Sequence, residues 1–130
     1  MNQAILPEGW AQPKGYTNGV IATGSSHIYV GGQIGWNAQA EFESDDFLDQ
    51  VRMTLENVKA VLTAAEAGPE HMVRMTWYIV SRDEYVNNLR PLGKIYREVM
   101  GAHYPPMSVV QVVALVEARA KVEIEVTACK

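Results

Sequence analysis

The stretch from His103 to Ala128, HYPPMSVVQVVALVEARAKVEIEVTA, constrains the fold more than any other. It opens on Tyr104-Pro105-Pro106, a rigid turn, because proline fixes its own φ and holds the preceding residue extended. Two β-rich runs follow, Ser108 to Val116 and Ala120 to Ala128, separated by the polar bend Glu117-Ala118-Arg119. In the first run both alternating sets are apolar: Val109, Val113 and Leu115 on one side, Val110, Val112, Ala114 and Val116 on the other. That is the pattern of a strand covered on both faces. In the second run Val122, Ile124, Val126 and Ala128 share one face, and Glu123, Glu125, Thr127 and Cys129 share the other. A carboxylate on a strand beside a doubly covered neighbour is the first place to look for chemistry.

Upstream, residues 1 to 19 carry Pro7, Gly9, Pro13, Gly15 and Gly19 and read as an irregular or edge segment. Val20 to Thr23 and His27 to Ile34 read as two strands of a hairpin joined by Gly24, Ser25 and Ser26. Gly31, Gly32 and Gly35 punctuate the second strand, either as a bulge or as backbone N–H groups open to a ligand. The GGQIG run lacks the Lys-Ser/Thr ending of a phosphate loop. Ser44 is placed to cap a helix in which Phe47, Leu48, Val51, Leu55, Val58, Leu62 and Ala65 recur at helical spacing, with Gly68-Pro69 as its stop. His71 to Val80 reads as a strand. A second helix runs from Ser81–Asp83 to Gly101 with Tyr85, Leu89, Leu92, Tyr96 and Val99 on its apolar stripe, kinked or broken by Pro91.

The order is β-β-α-β-α-β-β, an α+β fold with two helices packed on one face of a four- or five-stranded sheet. The runs 108–116 and, largely, 71–80 are apolar on both sides, so one copy leaves a large apolar face bare. A closed homo-oligomer is the expected solution. At 130 residues the chain is expected to be one domain, 1–130, with a single core. A net charge of −4 without a Lys/Arg cluster argues against a nucleic-acid face. No run is long and apolar enough to span a bilayer, and no secretory signal is evident. The single cysteine, Cys129, fits a reducing compartment, so a soluble cytoplasmic protein is expected. The histidines at 27, 71 and 103 lack metal-ligand spacing, and neither metal nor cofactor is expected.

Taken together, GGQIG (31–35), QVRMTLENVKAVLTAAEAG (50–68), Tyr85-Val86-Asn87, YPPMS (104–108) and KVEIEVTA (121–128) resemble the YjgF/RidA (Rid) family over nearly the whole chain. The resemblance implies a chorismate-mutase-like subunit with a mixed sheet, assembled as a homotrimer around a central β-barrel, with a small-metabolite cleft between neighbouring subunits. It also implies hydrolysis of a reactive enamine or imine to a keto acid and ammonia. In the deaminating members an arginine precedes the serine of the proline turn and grips the substrate carboxylate; here that position is Met107. The frequent cysteine two positions on is Val109, and the serine or threonine before the Gly-Gln pair is Gly31. Glu123 matches the glutamate associated with the attacking water, and Tyr16 and Asn87 match cleft-lining positions.

A thioether cannot replace a bidentate arginine, so the expected substrate is not 2-aminoacrylate. Met107, Val109 and Trp36 make the expected pocket more apolar, with Trp36 placed to stack on a planar ligand. Glu123 is either the residue that positions water or a surface glutamate on a half-exposed strand. Tyr16 and Asn87 either orient a polar group or satisfy local backbone. Arg74 and Arg119 are the two candidates for a replacement charge. The alternative to an enamine/imine deaminase is a non-catalytic trimer binding a metabolite or partner protein. Ribonuclease activity, also attached to the family, is disfavoured by the acidic balance.

Overall fold

The computed structural model describes residues 1–130. Its elements are β1 (Gln3–Ile5), β2 (Gly19–Ile21), β3 (His27–Ile34), α1 (Phe47–Ala64), β4 (Met72–Ile79), α2 (Arg82–Val86), α3 (Leu89–Met100), β5 (Met107–Gln111) and β6 (Val122–Cys129). The main sheet has the order β3-β6-β4-β5 and is mixed: β4 and β5 run parallel, the other neighbours antiparallel. The parallel pair is possible because α2 and α3 supply the long crossover between them. The apolar faces of α1 and α3 cover one side of the sheet. Val51, Leu55, Val58 and Leu62 from α1 meet Met75, Trp77, Val122, Ile124 and Val126 in one core. The expected α+β layering is what forms.

Several local expectations are corrected. β2 does not form a hairpin with β3; it pairs antiparallel with β1, with Ala4 opposite Val20, in a separate two-stranded ribbon. The cap of α1 is Asp46, whose carboxylate accepts from the Asp49 N–H at 3.0 Å. Ser44 stands behind it, its Oγ accepting from the Asp46 N–H and donating to Asp49. The helix ends before Gly68: Glu66 takes a left-handed φ of 57°, and the N–H groups of Glu66 and Ala67 bond back to Thr63 and Leu62. That is a Schellman turn built on a glutamate. Of the kink or break expected near Pro91, a break forms: it follows the short α2, at Asn87-Asn88, and leaves Pro91 in the first turn of α3, where its missing N–H has no helical acceptor to lose.

The largest correction concerns 108–116. The strand ends at Gln111, after which Val112 makes one more bond to the Ile79 carbonyl and the chain turns away. Val113 and Val116 are 104% and 99% exposed, so this apolar run is left bare within one chain. β4 is likewise one-sided: Met75, Trp77 and Ile79 are buried, while Arg74, Thr76 and Tyr78 face outward. Cys129, expected on the same face of β6 as Glu123, is buried at the strand's end against Gly24.

One buried polar residue ties the site-bearing ends together. Gln50, 1% exposed, donates to the carbonyls of Ser44 and Arg119 and accepts from the Lys121 N–H. A side chain at Gly35 would lie 2.8 Å from the Gln50 Cα, so glycine there lets the end of β3 rest on α1.

Candidate active site

β3 and β6 slip by one residue between Val30 and Gln33. Gly31 and Gly32 therefore lie together opposite Glu125, which is a β-bulge. The Glu123 side chain folds over it: a Cβ at Gly32 would lie 2.8 Å from the Glu123 Cδ and 3.0 Å from its Cγ. A Cβ at Gly31 would stand in open space. The bulge thus seats a half-buried carboxylate and leaves bare backbone beside it. Across the sheet, Tyr78 is the register partner of Glu123 and donates its hydroxyl to Glu125 at 2.7 Å. That bond to a carboxylate holds the Tyr78 phenol above its ordinary range, with the negative charges of Glu125 and Glu123 adding to the effect.

A second group of residues gathers where β5 begins. Thr17 bridges to Pro106 and donates its hydroxyl to the Tyr104 carbonyl, which lays the segment 14–18 against this end of the sheet. Tyr16, Arg74, Met107 and Ser108 line a groove of about 290 Å³ there. On the helix side of the same edge, Trp77, Tyr85, Leu89, Tyr104 and Met107 line a larger groove of about 430 Å³, flanked by Lys14 and Arg97. Met107 belongs to both. Trp77 packs edge-on against Tyr85 at 5.9 Å, and its indole N–H is buried with no hydrogen-bond partner. Val109 is half-buried beside Trp77 on the outermost strand. The bonds Met75 N–H to Pro106 and Val112 N–H to Ile79 put the even-numbered residues of β5 in the ladder. In a parallel pair this aims the N–H of Val109 at the open edge.

These two groups stay apart within one chain. Glu123 is opposite Tyr78, whereas Met107 is opposite Met75 and one strand further out. Three residues along and two strands across amount to roughly 14 Å. The remaining expected residues are scattered. Trp36 follows the bulged strand, near the Glu123 end, and packs against Phe42 at 5.9 Å; its carbonyl accepts from Asn57. Asn87 is exposed at the end of α2 and lines neither groove. Arg119 is committed to Asp45 at 2.8 Å and to the Phe42 ring, while Arg74 makes no ion pair. Leu89, assigned from its spacing to the buried stripe of its helix, is 57% exposed and lines the larger groove. No three His, Cys, Asp or Glu side chains converge as metal ligands. No helix is long and apolar enough to cross a membrane.

A family model described as endoribonuclease L-PSP matches residues 10–130. YyfB of Yersinia pestis, a Rid-family protein of unknown function, superimposes with a TM-score of 0.88 at 32% identity, covering 99% of this chain and 98% of its own. The chain belongs to the YjgF/RidA (Rid) family. Among Rid relatives, TdcF of Escherichia coli carries the provisional name reactive intermediate deaminase. It is 32% identical over 108 residues, 81% of this chain and 80% of TdcF. The crystal structure of TdcF with bound serine gives a TM-score of 0.69 at 30% identity, covering 91% of this chain and 96% of that one. A RutC family protein of Pyrococcus horikoshii is 29% identical over 113 residues, 86% of each chain.

Proposed function

We propose that this Rid protein hydrolyses an enamine or imine metabolite, other than 2-aminoacrylate, in a cleft completed by a second copy of the chain. The observation that carries the reading is the separation just described. The carboxylate seated on the Gly31-Gly32 bulge and the groove at Tyr16 and Met107 are too far apart for one small ligand to touch both. Two copies that join the β5 edge of one to the bulge of the next bring them together, and three such joints close a homotrimer around a central barrel. The exposed Val110, Val113, Val116 and Tyr29 then gain cover.

In that cleft Glu123 positions the water that attacks the imine carbon. The N–H groups at Gly31 and Val109 and the Tyr16 hydroxyl hold the substrate's polar atoms. Trp36, Met107 and the neighbourhood of Asn87 form its apolar and polar walls. Attack forms a carbon–oxygen bond, and collapse of the adduct expels ammonia and leaves the carbonyl product, with no cofactor consumed. The unit acts as one domain in the cytoplasm, on a small molecule rather than nucleic acid or membrane. The test is ammonia release from imines generated in situ by an amino-acid oxidase, compared for wild type and Glu123→Gln. Equal rates remove Glu123 from the mechanism.

One observation favours a binding-only role as a second reading. A relative's structure contains bound serine, an amino acid rather than an imine. Recovery of a tightly held metabolite unchanged, with no ammonia released from any imine, selects it.

A further inference from the structure

Helix α3 turns one face to the core and presents the other as a basic row. Leu92, Ile95, Tyr96 and Val99 are buried, while Arg90, Lys94 and Arg97 stand exposed and enter no ion pair. Glu98, the one acid in the helix, is drawn to Arg52 of α1 at 2.6 Å. With Leu89 and Gly93 these side chains line a shallow groove of about 490 Å³. Two of its residues go against the helix they sit in. Gly93 lies in the helix interior, where glycine is a poor helix former; its φ is not positive and a Cβ there would meet nothing within 4 Å, so neither backbone nor packing within the chain calls for it. Arg90 puts a positive charge in the first turn, at the positive end of the helix dipole, with no acid in that turn to offset it. A flat floor and an unpaired cation, both held against the helix's own preference, suit a surface on which another chain lies.

All 6 lining residues belong to one helix, so the groove has no opposite wall to enclose a small molecule. A row of cations spread over roughly 10 Å of helix axis fits a segment laid along it. The row is a local exception in a chain of net charge −4. Its cations select acidic side chains, and Leu89 beside a glycine floor selects an apolar residue that packs close. The acidic stretch of a second copy is already engaged: Asp45 holds Arg119, Asp46 caps α1, Asp49 accepts from Ser44 and Glu43 accepts from Asn37. We infer that this face of α3 is a docking surface for an acidic amphipathic helix of another protein. The apolar stripe of that helix lies over Leu89 and Gly93, and its carboxylates pair with Arg90, Lys94 and Arg97. Leu89, Gly93 and Arg97 also border the larger groove, so the docked helix runs along its rim. Docking there does not depend on the hydrolytic reading.

The experiment is fluorescence anisotropy on the assembled protein with three labelled probes. They are a helical peptide with leucines at heptad spacing flanked by glutamates, the same peptide with lysine for each glutamate, and a single-stranded RNA oligonucleotide. Wild type binds the acidic peptide more tightly than either other probe, by roughly 10-fold, and added salt weakens the binding. Arg90→Glu combined with Lys94→Glu lowers that affinity by roughly 10-fold, and Gly93→Gln lowers it by a similar factor because its side chain fills the floor. Urea denaturation separates docking from damage. Glutamate in the first turn and glutamine for glycine both suit the helix better than the residues they replace, so the midpoint holds or rises as binding falls. A midpoint that falls in both variants gives these residues a structural role and overturns the inference. Undiminished affinity for the acidic peptide in either variant overturns it, as does tighter binding of the RNA or the basic peptide by wild type. Sedimentation tests the remaining occupant: a smaller assembly in the variants than in wild type assigns the face to contact between copies and overturns the inference as well.

Discussion

Replacing Gly32 by alanine isolates the seat of Glu123. The φ of Gly32 is not positive, so alanine is allowed by the backbone. The new Cβ meets the Glu123 Cδ at 2.8 Å and has to push it to the 3.4 Å or more of ordinary contact. The carboxylate then shifts by roughly 1 Å or swings to another rotamer, at a cost of about 0.5–1.5 kcal/mol. Alanine recovers about 0.5–1 kcal/mol of the backbone entropy that glycine gives up in a strand. Stability is therefore nearly unchanged, and the thermal midpoint stays within about 4–8 °C of wild type. Activity is not spared, because a 1 Å misplacement of a reacting group costs on the order of 100-fold. Ammonia release from in situ imines reads the effect, and urea denaturation of the same variant checks that the fold is kept. A Gly32→Ala protein as active as wild type, alongside an inactive Glu123→Gln, would falsify the idea that the bulge fixes the carboxylate.

Other expectations address the frame around the site. Gln50→Leu strips partners from two carbonyls and one N–H and costs about 3–5 kcal/mol, read as a lower urea midpoint; a loss under about 1 kcal/mol means water replaces the amide. Glu66→Gly relieves a left-handed residue and stabilises by about 0.5–1 kcal/mol; an unchanged urea midpoint contradicts the strain assigned to that turn. Burial, with Tyr104 alongside, pushes the Tyr96 phenol well above its ordinary range. Above about pH 10 the unfolded chain therefore loses this proton while the folded chain keeps it, and stability falls as pH rises. Tyr96→Phe flattens that alkaline slope while losing about 1 kcal/mol with the bond to the His103 carbonyl; an unaltered slope assigns it to other groups.

What could be read from the sequence divides along a physical line. The stripe of α1 and the alternation of β6 are decided by neighbours in the chain, and both are legible in residue spacing alone. Ladder partners are decided at long range. The Gly24-Ser25-Ser26 turn was visible, yet β2 pairs with residues 3–5 instead of β3. Valines 112, 113 and 116 suit a strand, but the crossover geometry takes the chain away from β4 after Gln111. In the site, Glu123 and the glycine pair were each noticeable, whereas their contact depends on a one-residue slip that no spacing reveals. Leu89 was hidden among residues of the same helical stripe, and only packing shows that Leu92 and Tyr96 are covered while it is not. The choice between Arg74 and Arg119 needed the position of Asp45.

The strand that bonds to both β3 and β4 is the last in chain order. During synthesis from the N-terminal end, β3 and β4 emerge with no ladder between them, and they are joined only when β6 arrives to fill the gap. Helix α1 can coil early, but the sheet it rests on waits for residues 122–129. A ribosome stalled just before that segment should hold a chain that proteases cut freely, and the abrupt onset of protection should coincide with its release.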